Sequence, residues 1–399
     1  MTDQTSLTTE PKPIPGITWL LALVPLLLLG IVITYLVVTE GGLTELSGPP
    51  VEQLLIERIV LPEAGIIEVH VINDGPQEMT IAQVQVDDGY FMFEASPSTV
   101  IPRLGSATFT IYYPWVEEEA HRVVLVSSLG ALFEGEIAVA VPTPQLSGSL
   151  FIQFGLVGLY VGIVPVGLGM LWYPFMRRLS KQAMNFILSL TVGLLVYLAI
   201  GTWLDANEFA TTIPAFWQGV PMVLFVALIS LGILLALGNL KKSTEISALG
   251  VAYRIALGIG LHNLGEGLAI GAAFASGEAA LGTFLILGFT LHNITEGIGI
   301  TAPIVHNRPP FTHLILLLIV AGSPAILGVW IGGFAFNAVL ATIFLAIGVG
   351  AILQVVWEVG KLVAKETHKL NLPFVNWVNL SGFVAGLALM YFTAFMVKF

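Results

Sequence analysis

The chain has 399 residues, of which 56% are hydrophobic and 10% charged, with a formal net charge of −11 and no cysteine. Soluble domains carry about 25% charged residues, so this composition excludes a cytosolic enzyme, a disordered chain and, with no basic tract, a nucleic-acid binder. Without cysteine, any metal must be held by His, Asp, Glu, Asn or backbone oxygen.

Residues 1–16 are polar, hold three prolines and read as a disordered cytoplasmic tail. Residues 17–38 carry no charge. At about 1.5 Å per residue they cross a hydrocarbon core of about 30 Å. The apolar part of a cleaved signal peptide would be only about 7–15 residues long, behind a basic start. The stretch 17–39 is therefore expected to be an uncleaved transmembrane anchor.

Residues 40–148 are a different object, with 16 acidic side chains against three arginines. IIEVHVIN, MTIAQVQV, SATFTIYY and EGEIAVAV alternate apolar and polar residues, separated by Gly, Pro, Asn and Asp. Period two with turn chemistry between the runs predicts a small antiparallel sandwich. The block resembles the immunoglobulin-like β-sandwiches found outside many membrane proteins, a likeness of fold alone.

From 149 to 399 the sequence predicts eight membrane helices, at about 149–173, 183–204, 216–239, 247–274, 278–304, 312–332, 335–360 and 376–397. Arg177, Arg178, Lys181, Lys241, Lys242, Arg308, Lys361, Lys365 and Lys369 all fall in alternate loops. Cytoplasmic loops are the ones enriched in Lys and Arg. The body is thus expected to have both termini outside, and the anchor places 40–148 in the extracytoplasmic space. The opposite loops, at Asp205–Glu208, Gly277–Glu278 and Gly332–Gly333, hold no base.

Ionisable side chains inside a bilayer are costly and mark functional sites. Here they cluster in LHNLGEGLAIG (261–271) and LHNITEGIGI (291–300), two copies of H-N-x-x-E-G on consecutive helices. His262 and Glu266 stand at i and i+4 and so share a helix face, and His292 with Glu296 repeats this. Two antiparallel helices can join them as His2Glu2. Neutral imidazole with carboxylate suits Zn, Fe, Mn or Ni far better than Na or K. Asn263 and Asn293 lie one residue further round and offer amide oxygens to a neighbouring position. Gly267 and Gly297 permit close helix approach or local unwinding.

These residues resemble the ZIP (Zrt/Irt-like) divalent-metal transporters. The resemblance covers 149–399 and rests on the eight helices, both termini outside, and the doubled HNxxEG. It implies an all-α, eight-helix polytopic bundle around a mid-membrane binuclear site. Carried over, His262, Glu266, His292 and Glu296 take the first metal, and Asn263 and Asn293, with the glutamates as bridges, take the second. SLTVGLLVYLAIG (189–201) looks like the family's second helix. GVGAILQVVWEV (348–359) looks like its seventh, with Glu358 at the acidic position near the cytoplasmic exit. Departures are Gly265 and Thr295, where the family commonly has proline, and Ser323-Pro324, where Glu-Pro usually completes the second position. Ser323 is thus a weak second-site ligand.

The function expected is transport of a divalent ion into the cytoplasm by alternating access, Zn2+ first and Fe2+, Mn2+ or Cd2+ as alternatives, with the metal as bound substrate. Arg254 reads as an interfacial side chain, with a gating pair to Glu358 as the alternative, and Asp205 as a solvated loop residue or an outer cation collector. The alternative function is a metal-binding sensor or adaptor signalling through the outer domain. An intramembrane zinc hydrolase ranks lower: it would show HExxH, and here asparagine stands where the general base belongs. No enzyme activity is expected. The expected partners are divalent metal ions and the lipid bilayer of a plasma (inner) membrane, with homodimerisation a further candidate; no nucleic acid is expected, and the sequence names no partner for the outer domain.

Overall fold

A computed structural model describes residues 16–38, 51–143, 147–239, 247–275, 279–334 and 337–397. Residues 1–15 of the expected tail, and the expected loops at Lys241–Lys242 and Gly277–Glu278, lie outside the described residues. Contacts divide the chain into two units, Met1–Val51 and Glu52–Phe399. In the first, α1 (Gly16–Val38) carries Pro25 within it and exposes apolar side chains such as Leu26 and Leu27. It is apolar all round and has no polar face of the kind an amphipathic surface helix presents.

In the second unit the strands come first: β1 (Leu54–Val60), β2 (Ile66–Asn73), β3 (Met79–Val86), β4 (Gly89–Phe91), β5 (Phe93–Ser96), β6 (Val100–Ile101), β7 (Ser106–Tyr112), β8 (His121–Ser127) and β9 (Leu132–Ile137). They pair antiparallel in two sheets, ordered β1-β2-β7-β5 and β4-β3-β8-β9, with β6 beside β3. Alternation does the positioning: along β2, every second residue from Ile67 to Asn73 is buried. Ile67, Val69, Val71, Phe109 and Ile111 of one sheet meet Ile81, Val84, Val86, Val123 and Leu125 of the other in one core. The acidic block is therefore a small β domain with its own apolar interior.

The helical region runs α2 (Gly148–Gly158), a π turn at Leu159–Ile163, α3 (Val164–Met170), α4 (Tyr173–Met176), α5 (Lys181–Thr211), α6 (Gly219–Asn239), α7 (Ala248–Ala275), α8 (Ala279–Thr301), α9 (Phe311–Phe334), α10 (Ala338–Lys369) and α11 (Trp377–Val397). Among the described residues, six stretches are long and apolar enough to cross a membrane, so this is a multi-pass helical membrane protein with a β domain. Side-chain caps fix helix starts, among them Ser180, whose Oγ accepts from the Ala183 N–H, and Asn337, whose Oδ1 accepts from the Leu340 N–H. α7 is buried on nearly every face and packs against α8, α9 and α10.

The span expected at 149–173 is not one regular helix. The π turn stands just before Pro165, which has no N–H for the Val161 carbonyl four residues back.

Among the described residues, hydrogen bonds from one turn join the β domain to the helical region. Buried Asn73 donates from Nδ2 to Gln77 O and Ile101 O and accepts at Oδ1 from the Gly75 N–H. The turn this fixes presents Asp74, whose two carboxylate oxygens accept from the Ala215 N–H at 3.0 and 2.8 Å. Ala215 opens the short 3-10 turn between α5 and α6.

Candidate metal centre

The two HNxxEG copies hold α7 and α8 against two further helices by one repeated pattern. Asn263 Nδ2 donates to Ala321 O on α9 at 3.0 Å, and Asn293 Nδ2 donates to Val161 O in the π turn at 3.0 Å. Pro165 has no N–H for the Val161 carbonyl, so Asn293 supplies a donor where a proline removed one; the carbonyl that Pro324 leaves free is that of Val320, one residue before the Ala321 carbonyl that Asn263 serves. Close packing then follows from the motif glycines. A methyl on Gly267 would stand 2.2 Å from Ala325 O, and one on Gly297 would stand 2.1 Å from Val166 O. Both distances are far inside van der Waals contact, so only glycine fits, and of the two roles expected for these glycines the helices use close approach. Ala321 to Ala325 is four residues and Val161 to Val166 is five; the π turn absorbs the extra one.

This packing brings the ionisable groups together. His292 Nε2 lies 2.6 Å from Glu266 Oε1. His262 Nε2 lies 2.9 Å from the same oxygen, but out of hydrogen-bond alignment. The three residues can place one ligand atom each within 4.8 Å of one another, and all three are buried. Zn–N and Zn–O bonds of about 2.0–2.2 Å set tetrahedral ligands roughly 3.4 Å apart, so outward shifts under an ångström would admit an ion.

Glu296 stands apart from this trio. It is 3% exposed, and neither carboxylate oxygen has a hydrogen-bond partner. Asn263 Oδ1, Asn293 Oδ1 and His262 Nδ1 are likewise buried without partners. Asn293 Nδ2 also reaches Glu266 Oε2 at 3.3 Å. The asparagines spend their N–H groups on helix packing and leave their oxygens free. The result is a pocket rich in unpaired acceptors, a cluster that a cation satisfies and a neutral ligand does not.

Two small cavities adjoin it. One of about 10 Å³ is lined by His292, Thr295, Glu296 and Thr191 among others, and one of about 60 Å³ by Asp205, Thr202, Tyr197, Phe289 and Glu266 among others. Asp205 stands within α5 rather than in a loop and is on a cavity wall shared with Glu266.

Arg254 does not reach for the surface. Its Nη1 donates to Gly238 O at 3.1 Å and lies 3.4 Å from Glu358 Oε1. Glu358 is 4% exposed and has a second cation, Lys361, at 3.2 Å. The structure therefore joins the two residues expected as an alternative gating pair. Ser323 is turned into its own helix, with Oγ donating to Ile319 O at 2.7 Å.

In the β domain, His121 has the partner that the sequence did not reveal: its Nδ1 lies 2.7 Å from Asp87 Oδ2, which also accepts from Tyr113 OH at 2.8 Å. Burial works to raise the Asp87 carboxyl, but the Arg122 N–H, His121 and Tyr113 outweigh it and hold the group below its usual range. Burial, aided by Arg58, pushes the His70 ring down to about 4.

Comparison with known protein families and with curated proteins finds no match.

Proposed function

We propose that the protein carries a divalent transition-metal ion, zinc first among the candidates, across its membrane into the cytoplasm. In this reading the body is an eight-helix bundle of ZIP type in a plasma membrane, with both ends of the body outside and the β domain an extracytoplasmic immunoglobulin-like sandwich. The observation that carries it is the pocket's surplus of unpaired acceptors. Two histidines converge on Glu266 in the helical interior, while Glu296 and two asparagine oxygens stand unpaired beside them. Such a set is expensive to bury empty and fits an ion with affinity for imidazole and carboxylate. Ions would come in past Asp205, bind at His262, Glu266, His292 and Glu296, with Asn263 and Asn293 as neighbouring oxygen donors, and leave past Glu358. Two helical groups rocking against each other about the site would expose it alternately to the two sides.

Reconstituted protein is expected to take up zinc saturably, and Glu266→Ala with Glu296→Ala to abolish the uptake. Uptake that survives the double substitution would refute the proposal.

A sensor or adaptor is favoured by one observation, the Asp74 clasp on the loop after α5, because α5 carries Asp205. On that reading Asp74→Ala raises hydrogen exchange at 213–219 and erases any metal-dependent change within the β domain. On the transport reading uptake survives that substitution.

A further inference from the structure

Between the metal centre and the Arg254–Glu358 pair lies one buried polar side chain with no role so far. Arg254, Gly258, His262 and Glu266 follow one another at four-residue spacing along one stripe of α7. α10 faces that stripe in the opposite direction. A methyl on Gly348 would be 3.5 Å from His262 Nδ1, and further along α10, Glu358 meets Arg254. Eight residues of α7 separate the centre from the pair, about 12 Å at 1.5 Å per residue.

Gln354 sits in the middle of that interval. It is 2% exposed and its amide oxygen makes no hydrogen bond. A methyl on Gly258 would stand 2.9 Å from that oxygen and 2.5 Å from Val355 Cγ2, so glycine at 258 leaves the oxygen facing α7 one turn from His262. A leucine of similar size would bury there without leaving a polar atom unpaired. Arg254 Nη2 and His262 Nδ1 are also unpartnered, one at each end of the same interval. A dehydrated divalent ion cannot cross about 12 Å of apolar interior unaided, and an oxygen donor midway divides the distance into two steps of about 6 Å.

We propose that Gln354 is a transfer ligand: its amide oxygen takes the divalent ion from His262, passes it toward Glu358, and so helps to set which ions pass. The proposal rests on the transport reading above and adds to it a residue and a selectivity. A thioether at the same place would serve soft ions and fail hard ones. The test therefore compares initial uptake of Cd2+ and Mn2+ into proteoliposomes by wild type and Gln354→Met. The Cd2+ to Mn2+ ratio is expected to rise at least fivefold, with zinc affinity of the purified protein unchanged, which a packing role would not produce. A ratio within twofold of wild type overturns the proposal. Gln354→Leu is expected to slow both ions at least tenfold at saturating metal, and wild-type rates in that variant would also overturn it. Should the leucine variant fail to fold, the methionine comparison decides alone. Wild-type vesicles that take up neither ion would refute the transport reading itself.

Discussion

Replacing Glu296 by glutamine removes a charge while keeping the shape, and its effect has opposite signs with and without metal. In the empty protein both carboxylate oxygens are buried and unpaired. An isolated buried ion costs several kcal/mol even after relaxation. Taking up a proton instead costs at most about 4 kcal/mol at pH 7, from a reference carboxyl near 4.3 and 1.36 kcal/mol per pH unit, and this caps the penalty. The glutamine retains one polar mismatch of about 1–3 kcal/mol, so the net gain in the empty protein is at most about 1–3 kcal/mol. Wild type at zinc a hundredfold above Kd gains about 2.7 kcal/mol from binding. Thermal unfolding of purified protein, in chelator and in zinc, reads both terms. The expected result is a midpoint above wild type in chelator and a much reduced response to zinc. A variant that melts below wild type in chelator, or keeps the full zinc response, would refute the reasoning.

Other substitutions test other parts. Arg254→Ala strands Glu358 beside Lys361 alone, so the loss should be about 2–3 kcal/mol rather than the 3–5 of a fully orphaned buried charge; exchanging the two residues, Arg254→Glu with Glu358→Arg, should recover most of it in the same melts. Gly267→Ala drives a methyl to 2.2 Å from Ala325 O, backbone that cannot yield; a cost at or above the usual 1–3 kcal/mol of overpacking should appear as lost monodisperse protein in size exclusion. His70 is depressed to about 4; an unfolded ring near 6.5 binds protons that the folded ring refuses, so its contribution is complete above pH 6.5 and is lost as pH falls from there to 4. Solvent screening reduces the full shift to about 1–2 kcal/mol, and hydrogen exchange of the β2 and β7 peptides in the intact chain should quicken over that window and flatten in His70→Gln. The Asp87 carboxyl is held low, so its contribution is lost only at more acid pH, below the usual carboxylate range.

Much of this architecture is written in local pattern. β2 and β3 fall on the alternating runs 66–73 and 79–86 because one face of each is buried. The run EGEIAVAV keeps its period to 141, yet β9 stops at Ile137, because Ala140 pairs with Glu118 and Glu119 instead. Repetition made the HNxxEG residues visible, and i, i+4 spacing put each His on the same helix face as its Glu. The asymmetry of the centre was not visible: both histidines choosing Glu266 depends on how α7 and α8 rotate, which the glycine contacts with α9 and α3 decide. The asparagines were expected to offer oxygen; that the Asn293 N–H group serves a carbonyl left free by Pro165 was readable only in the existence of that free carbonyl, not in which side chain would reach it. Arg254 finds Glu358 across more than a hundred residues, a pairing no local period encodes. A lone Gln354 in an apolar helix carries no pattern, and only burial beside Gly258 singles it out.

The central claim is that the doubled motif holds a divalent metal. X-ray absorption at the zinc edge, on purified wild-type protein equilibrated with zinc and then desalted, tests it most directly. The account predicts bound zinc with two imidazole nitrogens and carboxylate oxygen in its first coordination sphere, and loss of that signal in His262→Ala with His292→Ala. Zinc that does not stay bound, or a spectrum that survives the double substitution, would contradict it.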